Sequence, residues 1–196
     1  MAQGQRKILV VCFGNICRSP TAAALLIRAL ASRGLGAHYE VTSAGVGAIE
    51  GQPAAPLAAA VAAAHGLDLS SHRARRLDAA MAQGADFLIA SDEVVEDLIL
   101  RIAGDIAVLG WHVDDPYGGP EEEYRAAFTV LQGLVTEFVA RLPHGKIPDR
   151  RDFWRFTDQE RIRYWRAVVS VGEELADDLR ELLATGRLAE RAQPLT

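Results

Sequence analysis

One loop, residues 12–20, constrains the fold of this chain most strongly, because it joins an apolar run to an uninterrupted helical pattern. It reads Cys-Phe-Gly-Asn-Ile-Cys-Arg-Ser-Pro. The preceding run Ile8–Val11 predicts a buried parallel strand, and the Ala and Leu spacing of Thr21–Ala31 predicts a helix. At such a junction, backbone N–H groups and the helix dipole converge on an anion, and the same field favours a cysteine thiolate. The loop therefore predicts a site where a nucleophilic sulfur meets an oxyanion.

The residue types in this loop suit phosphoryl transfer. Cys12 could attack phosphorus in line, while the planar fork of Arg18 could hold two phosphate oxygens, which a lysine cannot match. Gly14 allows close backbone approach, and Asn15 tolerates a left-handed conformation while its amide braces the loop. The other loop residues are expected to wrap their backbone amides around the anion: Phe13, Ile16 and Cys17.

Ser19 and Pro20 are predicted to mark the start of the helix. Ser19 could donate a hydrogen bond to the Cys12 sulfur and serve as the N-cap, and Pro20 then suits the first helical position. Taken alone, Cys12 is better explained as a buried structural cysteine and Arg18 as a surface cap. The complete nonapeptide between a strand and a helix favours the reactive site.

In combination, these motifs resemble the low-molecular-weight protein tyrosine phosphatase family over about residues 5 to 142. Besides the C-x-G-N-I-C-R-S-P loop, three further segments match in the same order: Thr42–Gly45, His65–Gly66 with Ser71–Arg75, and Asp115–Tyr117. The resemblance implies a cysteine-dependent phosphomonoesterase with a phosphocysteine intermediate. Its substrate would be a phosphorylated protein or a small aryl phosphate. No metal or cofactor is expected, because Arg18 and the loop amides supply the positive field.

Asp115 is the candidate general acid and base. It would protonate the leaving oxygen in the first step and activate water in the second. Pro116 stiffens its loop, and Tyr117 would form an aromatic wall for a planar substrate. Asp-Pro-Tyr-Gly is also a good turn sequence in isolation. Its neighbour Asp114 is a less suitable candidate, because the family has its aspartate directly before the proline.

Three residues are expected to support the site: Ser43, His72 and Asp92. The family suggests that His72 hydrogen-bonds to Asn15 or Ser43, although a surface histidine in an arginine-rich loop is the competing interpretation. Asp92 follows an apolar strand and opens a helix, so helix capping explains it, with a supporting role in positioning the acid loop. Cys17 could form a reversible disulfide with Cys12 that protects the nucleophile from overoxidation.

Two departures from the family bear on the substrate. Val46–Ile49 stands where the family often has a polar residue and then an aromatic, so Ile49 would line a wider and less aromatic slot, and Tyr117 is followed by Gly118. Phosphotyrosine on protein remains the favoured substrate, with phosphoarginine as an alternative against which Ile16 argues. A module that binds a phosphorylated partner without turnover is the competing class of function.

Alternating strand and helix patterns predict an α/β three-layer sandwich with a central four-stranded parallel sheet of flavodoxin-like topology. The predicted domain covers residues 1–142. Its expected strands are Lys7–Cys12, Tyr39–Ser43, Asp86–Ala90 and Ile106–Leu109. Its expected helices are Thr21–Arg33, Pro56–His65, Glu93–Ile102 and Glu121–Leu142. The Cys12 loop would then lie at the carboxyl ends of the strands, where open α/β sheets bind ligands.

The net charge and the hydropathy of the chain limit the kinds of partner that it is expected to bind. The net charge of −5 makes nucleic acid an unexpected partner. We expect no membrane association, since no apolar stretch reaches the roughly twenty residues that span a bilayer. The start of the chain has no signal-peptide pattern. Both cysteines lie in one loop, so a structural disulfide framework is not expected. A cytoplasmic location is expected.

Residues 143–196 are predicted to form a helical C-terminal extension. A capping box at Thr157–Glu160 opens a predicted helix that reaches about Ala184. A heptad seam in this helix could pack on the first domain or form a contact with a partner or with a second copy in a homodimer. Aromatic residues interleaved with arginines at 150–166 could bind nucleic acid, bind an acidic phosphopeptide or cover a domain edge, and their acidic neighbours weaken the first possibility.

Overall fold

The apolar run at Ile8–Val11 forms the centre of a parallel sheet in the computed structural model, which describes residues 5–142. Within those residues, each strand is followed by one α-helix, except that two helices stand between the second and third strands. They are β1 (Arg6–Cys12), α1 (Arg18–Ser32), β2 (Tyr39–Gly45), α2 (Pro56–Ala64), α3 (Ala79–Gln83), β3 (Phe87–Ala90), α4 (Glu93–Ala103), β4 (Leu109–Gly110) and α5 (Glu121–Arg141).

The sheet has the order β2-β1-β3-β4, and every pair of neighbours is parallel. In the centre, Val10 of β1 pairs with Ser43 on one side and Ile89 on the other. All strands therefore end at the same edge, and β1 delivers Cys12 to the middle of that edge. The predicted α/β fold with a four-stranded parallel sheet is confirmed for this part of the chain.

Helices cover both faces of the sheet, because consecutive buried residues of β1 point in opposite directions. On one face, Leu9 and Val11 belong to a core cluster with Val95 and Ile99 of α4. On the other face α1, α2 and α5 contact one another, and the ring of Phe87 meets Phe138 of α5 edge to face. This packing fixes the sheet edge that carries the Cys12 loop.

Two elements differ from the sequence expectation. The last strand pairs only at Leu109–Gly110 instead of 106–109, because Ile106 and Val108 pack against the core cluster without joining the sheet. The short helix α3 was not predicted. Its N-cap is Asp78, whose carboxylate accepts the Met81 N–H, and five residues are too few for a clear helical period.

The start of α1 also differs, so the predicted N-cap role of Ser19 is wrong. The helix begins at Arg18 with Cys17 as the N-cap, and no side chain caps it. Ser19 and Pro20 consequently occupy the second and third helical positions. Proline is tolerated there because the first-turn N–H groups have no intrahelical partner. The Ser19 hydroxyl is used at the reactive loop instead.

Among the described helices, none has the length and apolar character needed to cross a lipid bilayer. The predicted helix over Thr157–Ala184, its heptad seam, the interleaved aromatic residues and the homodimer contact all lie outside the described residues.

Candidate active site

The Cys12 loop, residues 12–18, rests directly on the end of β2. An added Cβ at Gly45 would come within 2.6 Å of the Phe13 carbonyl oxygen and 2.7 Å of the Asn15 nitrogen. Gly45 therefore permits a backbone approach that a side chain would block. Beyond it, the Val46 N–H donates to the Cys12 carbonyl and the Gly47 N–H to the Phe13 carbonyl. The loop is thus held by backbone contacts as it leaves the sheet.

The Cys12 sulfur is buried and receives polar contacts from its own loop. The Asn15 N–H donates to Cys12 Sγ at 3.2 Å, and the Ser19 hydroxyl oxygen lies 3.0 Å from the same sulfur. Asn15 Nδ2 donates to Ser19 Oγ at 2.8 Å. Because the Asn15 amide donates to Ser19 Oγ, the hydroxyl proton can point either at the Cys12 sulfur or at the Ala44 carbonyl oxygen, which lies 3.3 Å from Oγ. This arrangement stabilises negative charge on Cys12.

Asn15 braces the loop with its entire side-chain amide. Its φ of +54° confirms the predicted left-handed conformation, and the residue is fully buried. Besides the bond to Ser19, Nδ2 donates to Ser43 Oγ at 2.9 Å, while Oδ1 accepts the Arg75 backbone N–H at 2.9 Å. Sequence reasoning missed Arg75, because its contact to Asn15 is made by the main chain.

His72 contacts the backbone carbonyl of Asn15. Its Nε2 lies 2.6 Å from the Asn15 carbonyl oxygen, which confirms one of the two partners expected from the sequence. Burial lowers the pKa of His72, and the nearby charges of Arg75 and Arg73 lower it further, although the Asn15 hydrogen bond opposes them. The ring is therefore neutral at pH 7, and Nε2 must carry the proton that it donates to the carbonyl.

Arg18 is buried and binds two carboxylates at once. One terminal nitrogen donates to Asp92 Oδ2 at 2.6 Å and to the Val113 carbonyl oxygen at 2.9 Å, and the other donates to Asp115 Oδ2 at 2.6 Å. The Arg18 Nε–H is buried without a partner among the described residues. An oxyanion beside this guanidinium would satisfy a donor that is otherwise costly to bury.

The two carboxylates come from different loops at the same sheet edge. Asp92 is the N-cap of α4, and its other oxygen accepts the Val95 N–H at 2.8 Å. Asp115 Oδ1 accepts the Tyr117 N–H at 3.3 Å, so its own turn orients it. Asp92 reaches Asp115 only through Arg18, which makes Asp92 a support for the guanidinium.

A cavity of about 190 Å³ opens between these loops. It is lined by Cys12, Phe13, Gly14, Ile16, Cys17, Arg18, Gly47, Ile49, Gln52, Asp115 and Tyr117. Gly47 and Gln52 were not predicted, since both come from a loop without a chemical motif. The predicted residues Asn15, Ser19, Ser43, His72 and Asp92 are not part of the lining. Asn15 and Ser19 contact Cys12, and Asp92 contacts Arg18, whereas Ser43 and His72 contact Asn15.

The mouth of this cavity is apolar. Phe13, Ile49 and Tyr117 are the large hydrophobic residues at its rim, and each is more than half exposed. The Phe13 ring lies against Gly47, where an added Cβ would come within 2.8 Å of it. Gly47 therefore gives the ring its seat, and this contact was not foreseen from the sequence. Across residues 5–142, no group of three or more His, Cys, Asp or Glu side chains is arranged to hold a metal ion.

Cys17 is a buried, neutral thiol of the same loop. Burial, together with the charges of Cys12 and Asp115, raises its pKa to about 12, although a hydrogen bond with Tyr124 acts in the opposite direction. Cys12 and Cys17 are both free. The disulfide between them stays a prediction.

A buried cysteine, a clamped arginine and an aspartate around one cavity at the carboxyl edge of a parallel sheet define a class of protein, the cysteine-dependent phosphatases. The family model described as "Low molecular weight phosphotyrosine protein phosphatase" matches residues 7–146. The chain belongs to this family and is a phosphatase. Membership implies that its substrate is a phosphoprotein or a small phosphate ester.

Individual relatives agree with this assignment. The probable low molecular weight protein-tyrosine-phosphatase EpsP of Ralstonia solanacearum is 37% identical over 145 residues, which cover 70% of this chain and 96% of that protein. The crystal structure of the Erwinia amylovora tyrosine phosphatase AmsI is 32% identical with a TM-score of 0.64, covering 71% of this chain and 96% of that one. A mutant YwlE arginine phosphatase with a phosphorylated active-site serine is 26% identical with a TM-score of 0.67, covering 71% and 97%.

Proposed function

We propose that this phosphatase hydrolyses phosphotyrosine on proteins through a phosphocysteine intermediate. Cys12 is the nucleophile, Arg18 holds the phosphoryl oxygens, and Asp115 is the general acid and then the general base. One observation carries the proposal: Cys12, Arg18 and Asp115 line one cavity, and Arg18 keeps an unpartnered buried N–H. A phosphoryl group bound there would lie against both the sulfur and the guanidinium.

The first step transfers the phosphoryl group to sulfur. The Cys12 thiolate attacks phosphorus, the bond from phosphorus to the ester oxygen breaks, and Asp115 gives its proton to the departing phenolate. The phosphate dianion competes with Asp115 for Arg18. Because two anions next to one another repel, a neutral carboxyl at Asp115 is the form compatible with bound phosphate, and this form has a proton to donate.

The second step regenerates the enzyme. Asp115 accepts a proton from water, the water oxygen attacks phosphorus, and the bond between phosphorus and sulfur breaks to release phosphate and the Cys12 thiolate. Contacts from the Asn15 N–H and the Ser19 hydroxyl stabilise the sulfur as it takes up negative charge. Both residues are already in position, so little reorganisation is needed.

The rim supports an aromatic ester as the substrate. Phe13, Ile49 and Tyr117 surround the mouth and can contact the faces of a planar ring. The names of EpsP and AmsI describe tyrosine phosphatases. Phosphoarginine is the second candidate, on the likeness to YwlE. Comparing initial rates on the same peptide with phosphotyrosine or phosphoarginine decides between them, and faster release from phosphoarginine would reject our assignment.

Replacement of the nucleophile tests the mechanism. Cys12→Ser should abolish turnover of an aryl phosphate, because a serine hydroxyl in the same place is a far weaker nucleophile. Inorganic phosphate should still bind, measured by calorimetry. After acid quenching of the wild-type enzyme with 32P-labelled substrate, label should be found on the protein, and it should be absent from Cys12→Ala, which unlike a serine at this position has no atom that could be phosphorylated.

Cys17→Ser is the matched control, because it removes the other thiol of the loop and leaves Cys12 in place. Label should still be trapped on this variant. Normal turnover by Cys12→Ser, or trapping that depends on Cys17 and not on Cys12, would show that the nucleophile is misassigned.

A further inference from the structure

His112 has a backbone conformation that residues with a side chain rarely adopt. Its φ is +25°, and among the described residues other than glycine only Asn15 shares a positive φ with it. Such outliers cost free energy and persist where the surrounding structure holds them, often beside a functional site. His112 lies three residues before Asp115, on the segment that leads from β4 to the general acid. The mechanism above does not use it.

The conformation of His112 inserts an extra residue beside the sheet. The Trp111 N–H donates to the Ala90 carbonyl at 2.7 Å. The next bond runs from the Val113 N–H to the Ser91 carbonyl, at 2.6 Å. Between these two bonds the chain after β4 advances by two residues, whereas the chain at the end of β3 advances by one. Regular parallel pairing matches residues one to one, so His112 is the additional residue, as in a β-bulge.

After this extra residue, the chain reaches Arg18 twice. The Val113 carbonyl accepts from one terminal nitrogen of Arg18 at 2.9 Å. Asp115, two residues further on, accepts from the other terminal nitrogen at 2.6 Å. Val113 is buried and Asp115 is exposed, so the carbonyl is the inner of the two contacts. A change in the backbone at position 112 would shift both oxygen atoms relative to the guanidinium.

The ring of His112 lies against Gly110 and near the first turn of α4. An added Cβ at Gly110 would come within 2.8 Å of His112 Nε2 and 3.2 Å of Glu96 Oε2. The other ring nitrogen, Nδ1, lies 3.7 Å from Glu93 Oε1. Both glutamates belong to the first turn of α4. The positive φ is therefore supported by the main-chain bonds on either side of His112 and by the place of its ring between β4 and α4.

The two contacts with Arg18 respond differently to a bound phosphoryl group. Asp115 is an anion, so phosphate competes with it for the guanidinium. The Val113 carbonyl is neutral and bonds to the other terminal nitrogen. The Val113 contact can therefore persist while the ion pair of Asp115 is replaced. It then fixes the chain two residues away from the carboxyl group that must donate a proton.

We propose that His112 is a positioning residue, whose positive φ keeps the Val113 carbonyl on Arg18 and thereby holds the Asp115 carboxyl over the Cys12 loop. The proposal rests on the proposed acid role of Asp115. The backbone conformation carries the effect, so a residue that accepts a positive φ should replace His112 and one that resists it should not. Asparagine accepts such a φ, alanine disfavours it, and the branched β-carbon of valine resists it most.

A graded series at position 112 tests the proposal: His112→Asn, His112→Ala and His112→Val. The measured quantity is kcat/KM for phenyl phosphate divided by kcat/KM for 2,4-dinitrophenyl phosphate, whose leaving group needs no proton. A general acid matters most when the leaving group is poor, so this ratio reports the position of Asp115. The ratio should stay near the wild-type value in His112→Asn. It should fall about tenfold in His112→Val, part of the factor of about 100 or more that a positioned acid supplies, with His112→Ala between them.

Gly34→Val is the matched control for backbone strain. Gly34 has a φ of +70°, and no atom lies within 4 Å of the place where its Cβ would stand. It follows the last residue of α1 by two positions, at the opposite end of that helix from Arg18. Valine at this position should lower the free energy of unfolding, measured by urea titration, because it resists a positive φ. The ratio for the two esters should nevertheless equal that of the wild type.

An unchanged ratio in His112→Ala or in His112→Val would overturn the proposal. So would an equal fall in His112→Asn, which would assign the effect to the ring, or a fall in Gly34→Val, which would assign it to lost stability. Asp115→Asn, measured in parallel, separates these failures from failure of the proposed mechanism. If Asp115→Asn lowers the ratio strongly and the series does not, only His112 is misassigned. If Asp115→Asn leaves the ratio unchanged, the acid role falls and the His112 proposal falls with it.

Discussion

At the scale of single residues, Asn15 shows how much one buried polar side chain can organise. Its amide bonds to Ser19, Ser43 and the Arg75 backbone, and its carbonyl bonds to His72. Every donor and acceptor of the side chain is used, so burying it costs little. The strained backbone at φ +54° is maintained by these contacts. The sulfur contact of the Asn15 N–H depends on that conformation.

The lowered pKa of His72 predicts a pH dependence of stability. A histidine whose folded pKa lies below its unfolded value of about 6.5 binds fewer protons in the folded state. Its contribution is fully present above that pH and is lost as the pH falls toward the folded pKa. Between pH 7 and 5, the free energy of unfolding should therefore fall more steeply for the wild type than for His72→Gln, measured by urea titration.

The exposed His38 supplies the control for this experiment. His38→Gln removes a histidine that is far from the Cys12 loop in sequence and open to solvent. It should keep the steep dependence of the wild type. Equal slopes for the wild type and His72→Gln would contradict the role assigned to His72.

The sequence alone could assign Cys12 and Arg18 to one site, because they lie within one short segment, whereas Asp115 was added to that site by the family resemblance. Cys12 and Arg18 are separated by five residues. Among contacts that need the tertiary fold, the one between His72 and Asn15 was expected only from the family resemblance. The contact of the Phe13 ring with Gly47 leaves no pattern in the sequence, since glycine has many other uses.

At the scale of elements, helix α4 combines two tasks in one residue. Asp92 caps the helix through Oδ1 and holds Arg18 through Oδ2. Capping was predicted from its place after an apolar strand. The bond to Arg18 was not predicted, because it joins residues 74 positions apart. The predicted bounds of a strand were wrong where packing in the core competes with pairing in the sheet, as at Ile106 and Val108 before β4.

A pair of cap variants separates the two tasks of Asp92. Asp92→Ala and Asp78→Ala each remove an aspartate N-cap that accepts an N–H three residues on. Each should lower the free energy of unfolding by about 1 kcal/mol, measured by urea titration. Only Asp92→Ala should also weaken inhibition by inorganic phosphate, several-fold, because Asp78 does not contact Arg18. Equal phosphate inhibition in both variants would remove Asp92 from the support of Arg18.

At the scale of the whole molecule, the division into a domain of residues 1–142 and an extension of residues 143–196 stays a prediction. The site residues and the buried core described above lie within residues 5–142. A chain ended after residue 146, where the family match ends, should unfold cooperatively and keep a kcat/KM for aryl phosphates comparable to that of the full chain. Loss of cooperative unfolding would show that the boundary is wrong.

The same truncated chain tests the predicted homodimer. Light scattering should give a dimeric mass for the full chain and a monomeric mass for the truncated chain if residues 143–196 form the contact. A monomeric mass for the full chain would contradict the predicted homodimer. A dimeric mass for the truncated chain would show that the contact lies within residues 1–146.

The close seat of the Cys12 loop on Gly45 has a consequence for engineering. Any side chain at position 45 would strike main-chain atoms, which have nowhere to yield. Four residues further on, Ile49 borders the mouth and is 70% exposed. A combinatorial library aimed at new esters can therefore vary position 49 freely while position 45 is kept constant, so that selectivity is redesigned without altering the chemistry beneath it.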